Sequence, residues 1–179
     1  MKLYFEEEIR KEAILEVAKK MMIAARTAPK GKGVDNLVIA LVKKEGIKEI
    51  SDKLKEMAQR ENVPAFFQRD AENILQASAM VLIGTKINPM NLSPCGMCGF
   101  KNCDEKNQYP NHPCAFNTGD LGIAIGSAVS VAMEHRVDNR VMYTVGQAAL
   151  EMGILGPEVK IIYGIPLSAS GKNPFFDRK

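Results

Sequence analysis

Met80-Val81-Leu82-Ile83-Gly84 is a short apolar run with β-branched residues at alternate positions, ended by a glycine, and it reads as a central strand. Two further runs of this kind, Leu37 to Val42 and Val159 to Tyr163, supply the other main strands, although periodicity alone leaves the first open to helix. Between and around them lie amphipathic stretches. Ile9, Ala13, Ile14, Val17, Met21 and Ala25 share one face of a helix from Glu6 to about Ala25, with Glu7/Lys11 and Glu16/Lys20 spaced four apart on the other side. Pro29 and two glycines then open a loop, Arg26 to Asn36, because proline cannot continue the helical hydrogen-bond ladder.

Gly46 is expected to break the chain before a second helix, in which Ile47, Ile50, Leu54, Met57 and Ala58 face inward, and Pro64 to stop it. A third helix runs from about Ala65 with Phe67, Ala71, Ile74 and Leu75 inward. Asn117-Thr118-Gly119-Asp120 offers capping side chains to a fourth, whose buried face is Leu121, Ala124, Ile125, Ala128, Val131 and Ala132. Gly122, Gly126 and Ser130 form a groove of small residues along it. Asp138-Asn139 starts a fifth helix with Val141, Val145, Ala148, Ala149 and Met152 inward, and Gly153 stands at its left-handed C-cap. Gly164 to Lys179 reads as a polar, Gly/Pro-punctuated tail. The expected fold is α+β, with α/β as the neighbouring class: a small mixed sheet flanked by helices, in one domain spanning 1–179.

A chain of 179 residues with 46% apolar and 25% charged residues suits one soluble core. The net charge of +3 is spread along the helices, so no basic stripe argues for nucleic acid. The segment Met1 to Glu8 turns acidic before a signal core could form, and no apolar run approaches a membrane span, which predicts a cytoplasmic protein without membrane insertion. That compartment disfavours structural disulfides and leaves metal or redox chemistry for the thiols.

All four cysteines fall in one segment, Cys95-x2-Cys98-x4-Cys103-x10-Cys114, inside an insertion over 90–117 that leaves the fold after the central strand. Thiolates suit iron–sulfur clusters and zinc. Gly96 and Gly99 each follow a cysteine, where a ligand loop must fold back and aim amides at sulfur, and Pro94 and Pro113 stiffen their ligands. Three close cysteines and a distant fourth follow four-thiolate cluster logic, while structural zinc favours two similar knuckles; both remain open. His112 reads as a surface residue, and Asp104, Glu105 and Lys106 as a solvated turn.

The block Cys95 to Cys103 with Cys114, the segments Asp120 to Ala128 and Val137 to Gly146, and the ending Gly171-Lys172-Asn173-Pro174-Phe175-Phe176-Asp177-Arg178 together resemble the uncharacterised family of ferredoxin-domain-containing proteins. That resemblance implies a four-iron, four-sulfur (4Fe–4S) cluster on Cys95, Cys98, Cys103 and Cys114. Ala25-Arg26-Thr27-Ala28-Pro29 through Asn36, Asp120 with its small-residue helix, and Ile161 to Pro166 are similar to the flavin-dependent nitroreductases. This second resemblance implies FMN at a homodimer interface, with Arg26, Lys30, Lys32 and Asn36 toward the flavin and Lys172 closing from the tail. The chain lacks that family's paired arginine-and-serine signature and has no Trp.

Two classes of function follow as expectations. One is an iron–sulfur redox protein, homodimeric and served by an unidentified redox partner, which would be an oxidoreductase if FMN also binds and the cluster passes single electrons to it. The other is a zinc-stapled, non-enzymatic scaffold that binds a partner through the insertion.

Overall fold

The computed structural model describes residues 1–176; Asp177 and Arg178 of the tail motif lie outside the described residues. Four strands form one sheet in the order β1-β2-β4-β3: β1 (Leu37–Val42), β2 (Ala79–Lys86), β3 (Asp138–Asn139) and β4 (Val159–Ser168). The central position of β2 is as expected. Leu37 pairs with Thr85 through to Val42 with Met80 on one side, and Ala79 pairs with Leu167 through to Thr85 with Ile161 on the other.

All described ladders are antiparallel, so the expected mixed sheet is an antiparallel one. The connection explains it. β1 and β2 are joined by a pair of packed helices, α2 (Lys44–Ala58) and α3 (Phe66–Ile74). One crossover helix would return the chain parallel, whereas a helical hairpin reverses it once more.

Helices cover both faces. Ala79, Val81 and Ile83 pack with Ile165 and Leu167 against α1 (Glu6–Thr27) and α5 (Ala115–Glu134). Met80 and Leu82 face α2, α3 and α6 (Tyr143–Glu151). Because successive strand residues point to opposite sides, a strand between two helical layers must be apolar at every position, and β2 is buried from Ala79 to Thr85. Among the described residues no helix is long and apolar enough to cross a membrane.

Four local expectations are corrected. Gly46 lies inside the first turn of α2, where a Cβ would stand 2.7 Å from Val42 Cγ1, so glycine lets the helix begin directly after the strand. Asp138-Asn139 is an edge strand paired with Leu167 and Ser168, not a helix start; strand pairing overrides the capping propensity of these residues. Val141, expected inward, is exposed there. β4 continues to Ser168 through Pro166. It tolerates proline because the Pro166 nitrogen faces the β3 side, where the ladder lapses between Asn139↔Leu167 and Met142↔Gly164.

The tail is the fourth correction, since Phe175 is 0% exposed within the α2/α3/α6 layer. Arg140 donates to the Phe175 carbonyl at 2.8 Å, and Asn173 donates to Asp138 at 3.2 Å. Gly153, with φ +66, takes the left-handed conformation expected after α6.

Candidate metal centre

The insertion leaves β2 and crosses to the start of α5, carrying a short helix α4 (Cys103–Asn107). Gly99, at φ +89, donates its N–H to the Gly96 carbonyl at 2.9 Å. This turn, which needs a residue free to adopt positive φ, presents Cys95 and Cys98 together. Asn102 caps α4 by accepting the Glu105 N–H at 2.9 Å, which sets Cys103 at the first helical position. Cys114 is the N-cap of α5 and is buried.

Sequence-distant thiols are thereby brought together. Cys95, Cys98, Cys103 and Cys114 line one small enclosed space of about 10 Å³, closed by apolar Met90, Leu92, Met97 and Phe116 among others. All four are free thiols, and among the described residues no three His, Cys, Asp or Glu side chains converge on a single ion position. The thiols surround a space instead. Cys114 sits at the positive end of a 20-residue helix whose first-turn amides lack intrahelical acceptors, which favours an anionic group there. The donor set and the apolar walls thus fit a metal–thiolate group.

One wall residue escaped the sequence reading. Lys106, expected in a solvated turn, is 2% exposed and lines the thiol-lined space. Its side chain has no hydrogen-bond or ion-pair partner among the described residues. Asp104 and Glu105 are exposed, and Glu105 accepts the Lys101 N–H at 2.6 Å. The available signal was spacing: three residues from Cys103, Lys106 shares its helix face. His112 is exposed as expected and packs edge-on to Phe100, whose ring stacks on Tyr109 at 5.3 Å.

The loop after α1 abuts this centre. A Cβ built on Gly31 would stand 3.0 Å from Phe116 Cδ1, so the loop touches a residue that also walls the thiol space. Its amides are used internally: Gly31 N–H donates to both carboxylate oxygens of Asp120, at 3.0 and 3.1 Å, and Gly33 N–H to the Lys30 carbonyl at 3.0 Å. Asp120 and Asn117, expected as caps, lie inside α5 and tie it to loops; Asn117 accepts the Asn88 N–H at 2.8 Å.

The side chains expected near a flavin are placed as follows. Arg26 pairs with Asp35 and donates to the Leu37 carbonyl at 3.1 Å. Partial burial pushes the Asp35 carboxyl up, but the Arg26 guanidinium and the Leu37 N–H together hold it below its ordinary value. Lys30 donates to the carbonyls of Ala25, Arg26 and Ala28 at the end of α1, and Lys32 to that of Met90 at 3.1 Å. Asn36 accepts from Asn88 at 3.1 Å, while its amide nitrogen and that of Asn117 are buried without an acceptor among the described residues.

Lys172 is exposed and adjoins Asn173, which is bonded to Asp138 at the β3 edge. Asp138 pairs with Ser168, and the β1 end at Leu37 lies level with Ile161. The eight strand residues from Ile161 to Ser168 span roughly 23 Å, which sets the β3 edge and the Leu37 end of β1 toward opposite ends of β4.

Comparison with known proteins places this architecture. Residues 111–178 match a family described as uncharacterized proteins containing a ferredoxin domain (DUF2148), a stretch that includes Cys114 but not the other three cysteines. An uncharacterized protein of Archaeoglobus fulgidus is 39% identical over 97% of this chain and 96% of its own length. In structure, the chain is similar to a nitroreductase with bound FMN from Desulfitobacterium hafniense (TM-score 0.60, 17% identity, 88% of this chain and 78% of that one). It is also similar to a BluB-like flavoprotein from Clostridium difficile (TM-score 0.57, 22% identity, 88% and 84%). The fold is that of the nitroreductases, and the chain belongs to the family of uncharacterized proteins containing a ferredoxin domain.

Proposed function

We propose that this protein is a cytoplasmic electron-transfer protein holding one 4Fe–4S cluster on Cys95, Cys98, Cys103 and Cys114. The observation that carries the reading is the gathering of all four thiols around one apolar-walled space. A single zinc ion draws four sulfurs to within about 2.3 Å of one point, whereas a cluster spreads them over separate irons. Such a cluster supplies one-electron transfer. The protein's part is to bind it, to keep water from it with Met90, Leu92, Met97 and Phe116, and to aim the α5 amides at its charge.

A second reading adds FMN, making the protein a homodimeric oxidoreductase. It is supported by the likeness of fold, by the buried unpartnered amide of Asn36, and by the Gly31–Phe116 approach that sets the loop beside the thiol centre. Arg26, Lys30, Lys32 and Asn36 would hold the flavin, and Lys172 would close from the tail. FMN would supply two-electron chemistry, and the redox partner would feed single electrons through the cysteine centre.

The test is the visible spectrum of protein purified without oxygen, before and after dithionite, with iron, zinc and flavin determined on the same sample. A broad brown absorption that bleaches, with about four irons per chain, is the expected result, and structured yellow bands beside it would establish the flavin. A colourless zinc protein would overturn the redox reading in favour of a stapled scaffold.

A further inference from the structure

A buried ammonium without a partner is costly, and folded proteins keep one only where something compensates its charge. Lys106 is 2% exposed as a residue and stands in the wall of the thiol-lined space, and its ammonium has no protein acceptor among the described residues. Its neighbours do not neutralise it, since Asp104 and Glu105 are exposed and the Glu105 carboxylate is bonded to the Lys101 amide. The remaining walls are apolar except for the four cysteines themselves. Four thiolates around a 4Fe–4S core, or around one zinc ion, make a dianion, and adding one electron to the cluster makes a trianion.

From this juxtaposition we infer that Lys106 is the built-in counter-cation of the tetrathiolate centre. It is a positioning residue, not a ligand, that favours the more negative state and so raises the reduction potential. The inference rests on the metal-centre reading above and assigns a role to a residue outside the ligand set. In a water-poor site a fixed positive charge acts at low screening, and charge near a cluster is among the established determinants of its potential.

The experiment uses the full chain purified without oxygen, as wild type, Lys106→Met, Lys106→Gln and Lys106→Arg, with metal content, circular dichroism and a spectrophotometric redox titration against dithionite. Either neutral variant that retains iron should bleach at a lower potential. At the wild-type midpoint its oxidised-to-reduced ratio should rise at least tenfold, equivalent to about 59 mV for a one-electron couple, while Lys106→Arg stays near wild type. An unchanged midpoint in a folded, iron-loaded neutral variant overturns the inference and leaves the cluster reading intact.

If the wild type carries zinc instead, the cluster reading fails and the inference is decided by chelator competition. Zinc held at least tenfold more weakly by the neutral variants but not by Lys106→Arg sustains the counter-cation, and equal retention overturns it. A wild type that binds neither metal overturns both.

Discussion

Replacing Gly146 by alanine tests how tightly α6 is set on the sheet. A Cβ at this position would lie 1.7 Å from the Ile162 carbonyl oxygen and 2.6 Å from its carbon, both backbone atoms of β4. A carbon–oxygen contact does not relax below about 3.3 Å, so the helix must withdraw by about 1.6 Å. The same interface is tight from the strand's side, where a Cβ on Gly164 would meet Val145 Cγ1 of α6 at 2.1 Å, and the sheet cannot readily yield because Ile165 and Leu167 back β4 against α1 and α5 on its other face. Withdrawal loosens Val145, Ala148 and Ala149, all 0% exposed.

Overpacking of this kind costs about 1–3 kcal/mol, occasionally more, and with no flexible side chain to absorb the clash we expect the upper end. At about 2–4 °C per kcal/mol for a chain of this size, Tm should fall by about 6–12 °C. Thermal melting followed by circular dichroism on the metal-loaded protein measures it, with Gly122→Ala as control. Gly122 is an exposed interior position of α5 where a Cβ meets nothing within 4 Å, and alanine there should stabilise by about 0.5–1 kcal/mol. A Tm drop for Gly146→Ala of less than about 3 °C would refute the packing argument. Loss of the metal centre in a protein that still melts cooperatively would show that α6, which contributes nothing to the thiol walls, supports the centre after all.

Four further outcomes are expected. Cys98→Ser should lose the bleachable visible absorption and bound iron while melting remains cooperative; retained colour would remove Cys98 from the ligand set. In metal-free protein, Lys106→Met should not lower stability, because the Lys106 side chain is buried without a protein acceptor among the described residues and an apolar chain fills the same place, and a lowered denaturant midpoint would contradict this. Asp120→Ala frees the Gly31 amide and should cost about 1.5–3 kcal/mol for a charge-assisted hydrogen bond, read as faster hydrogen exchange at Gly31 to Gly33; unchanged exchange would show that the loop is held by other contacts. The Asp35 carboxyl, held below its ordinary value by Arg26, contributes stability that is complete above the unfolded value near pH 4 and is lost as pH falls through its lower folded value. Asp35→Asn should therefore flatten the acid limb of the stability curve, and an identical limb would discount the pair.

Much of the architecture was legible because apolar periodicity and tertiary burial agree. α1, α2, α3 and the centrality of β2 follow from residues such as Ile14, Leu54, Phe67 and Val81, whose packing partners their own spacing anticipates. Legibility failed where a polar side chain serves a distant partner. Asn117 and Asp120 look like helix caps, yet they bond Asn88 and Gly31 from within α5. Asp138 and Asn139 look like a helix start, yet β4 recruits them as an edge strand. Phe175 lies in a polar, Gly/Pro-rich tail whose local composition carries no sign of burial. The grouping of the four cysteines around one space was visible from residue type and spacing, whereas the place of Lys106 was not: its burial depends on how 89–116 closes over itself, and no local pattern separates it from the exposed acids beside it.

The burial of Phe175 has a consequence for biosynthesis. β2 is sandwiched between β1, some forty residues earlier, and β4, some eighty residues later, and the layer over Met80 and Leu82 is closed by a side chain at position 175. A nascent chain that has already exposed all four cysteines still lacks β4 and Phe175. Contacts of such sequence separation form late, so the cysteine segment, whose walls come from residues 89–116, emerges from the ribosome before the sheet on which it is mounted is complete.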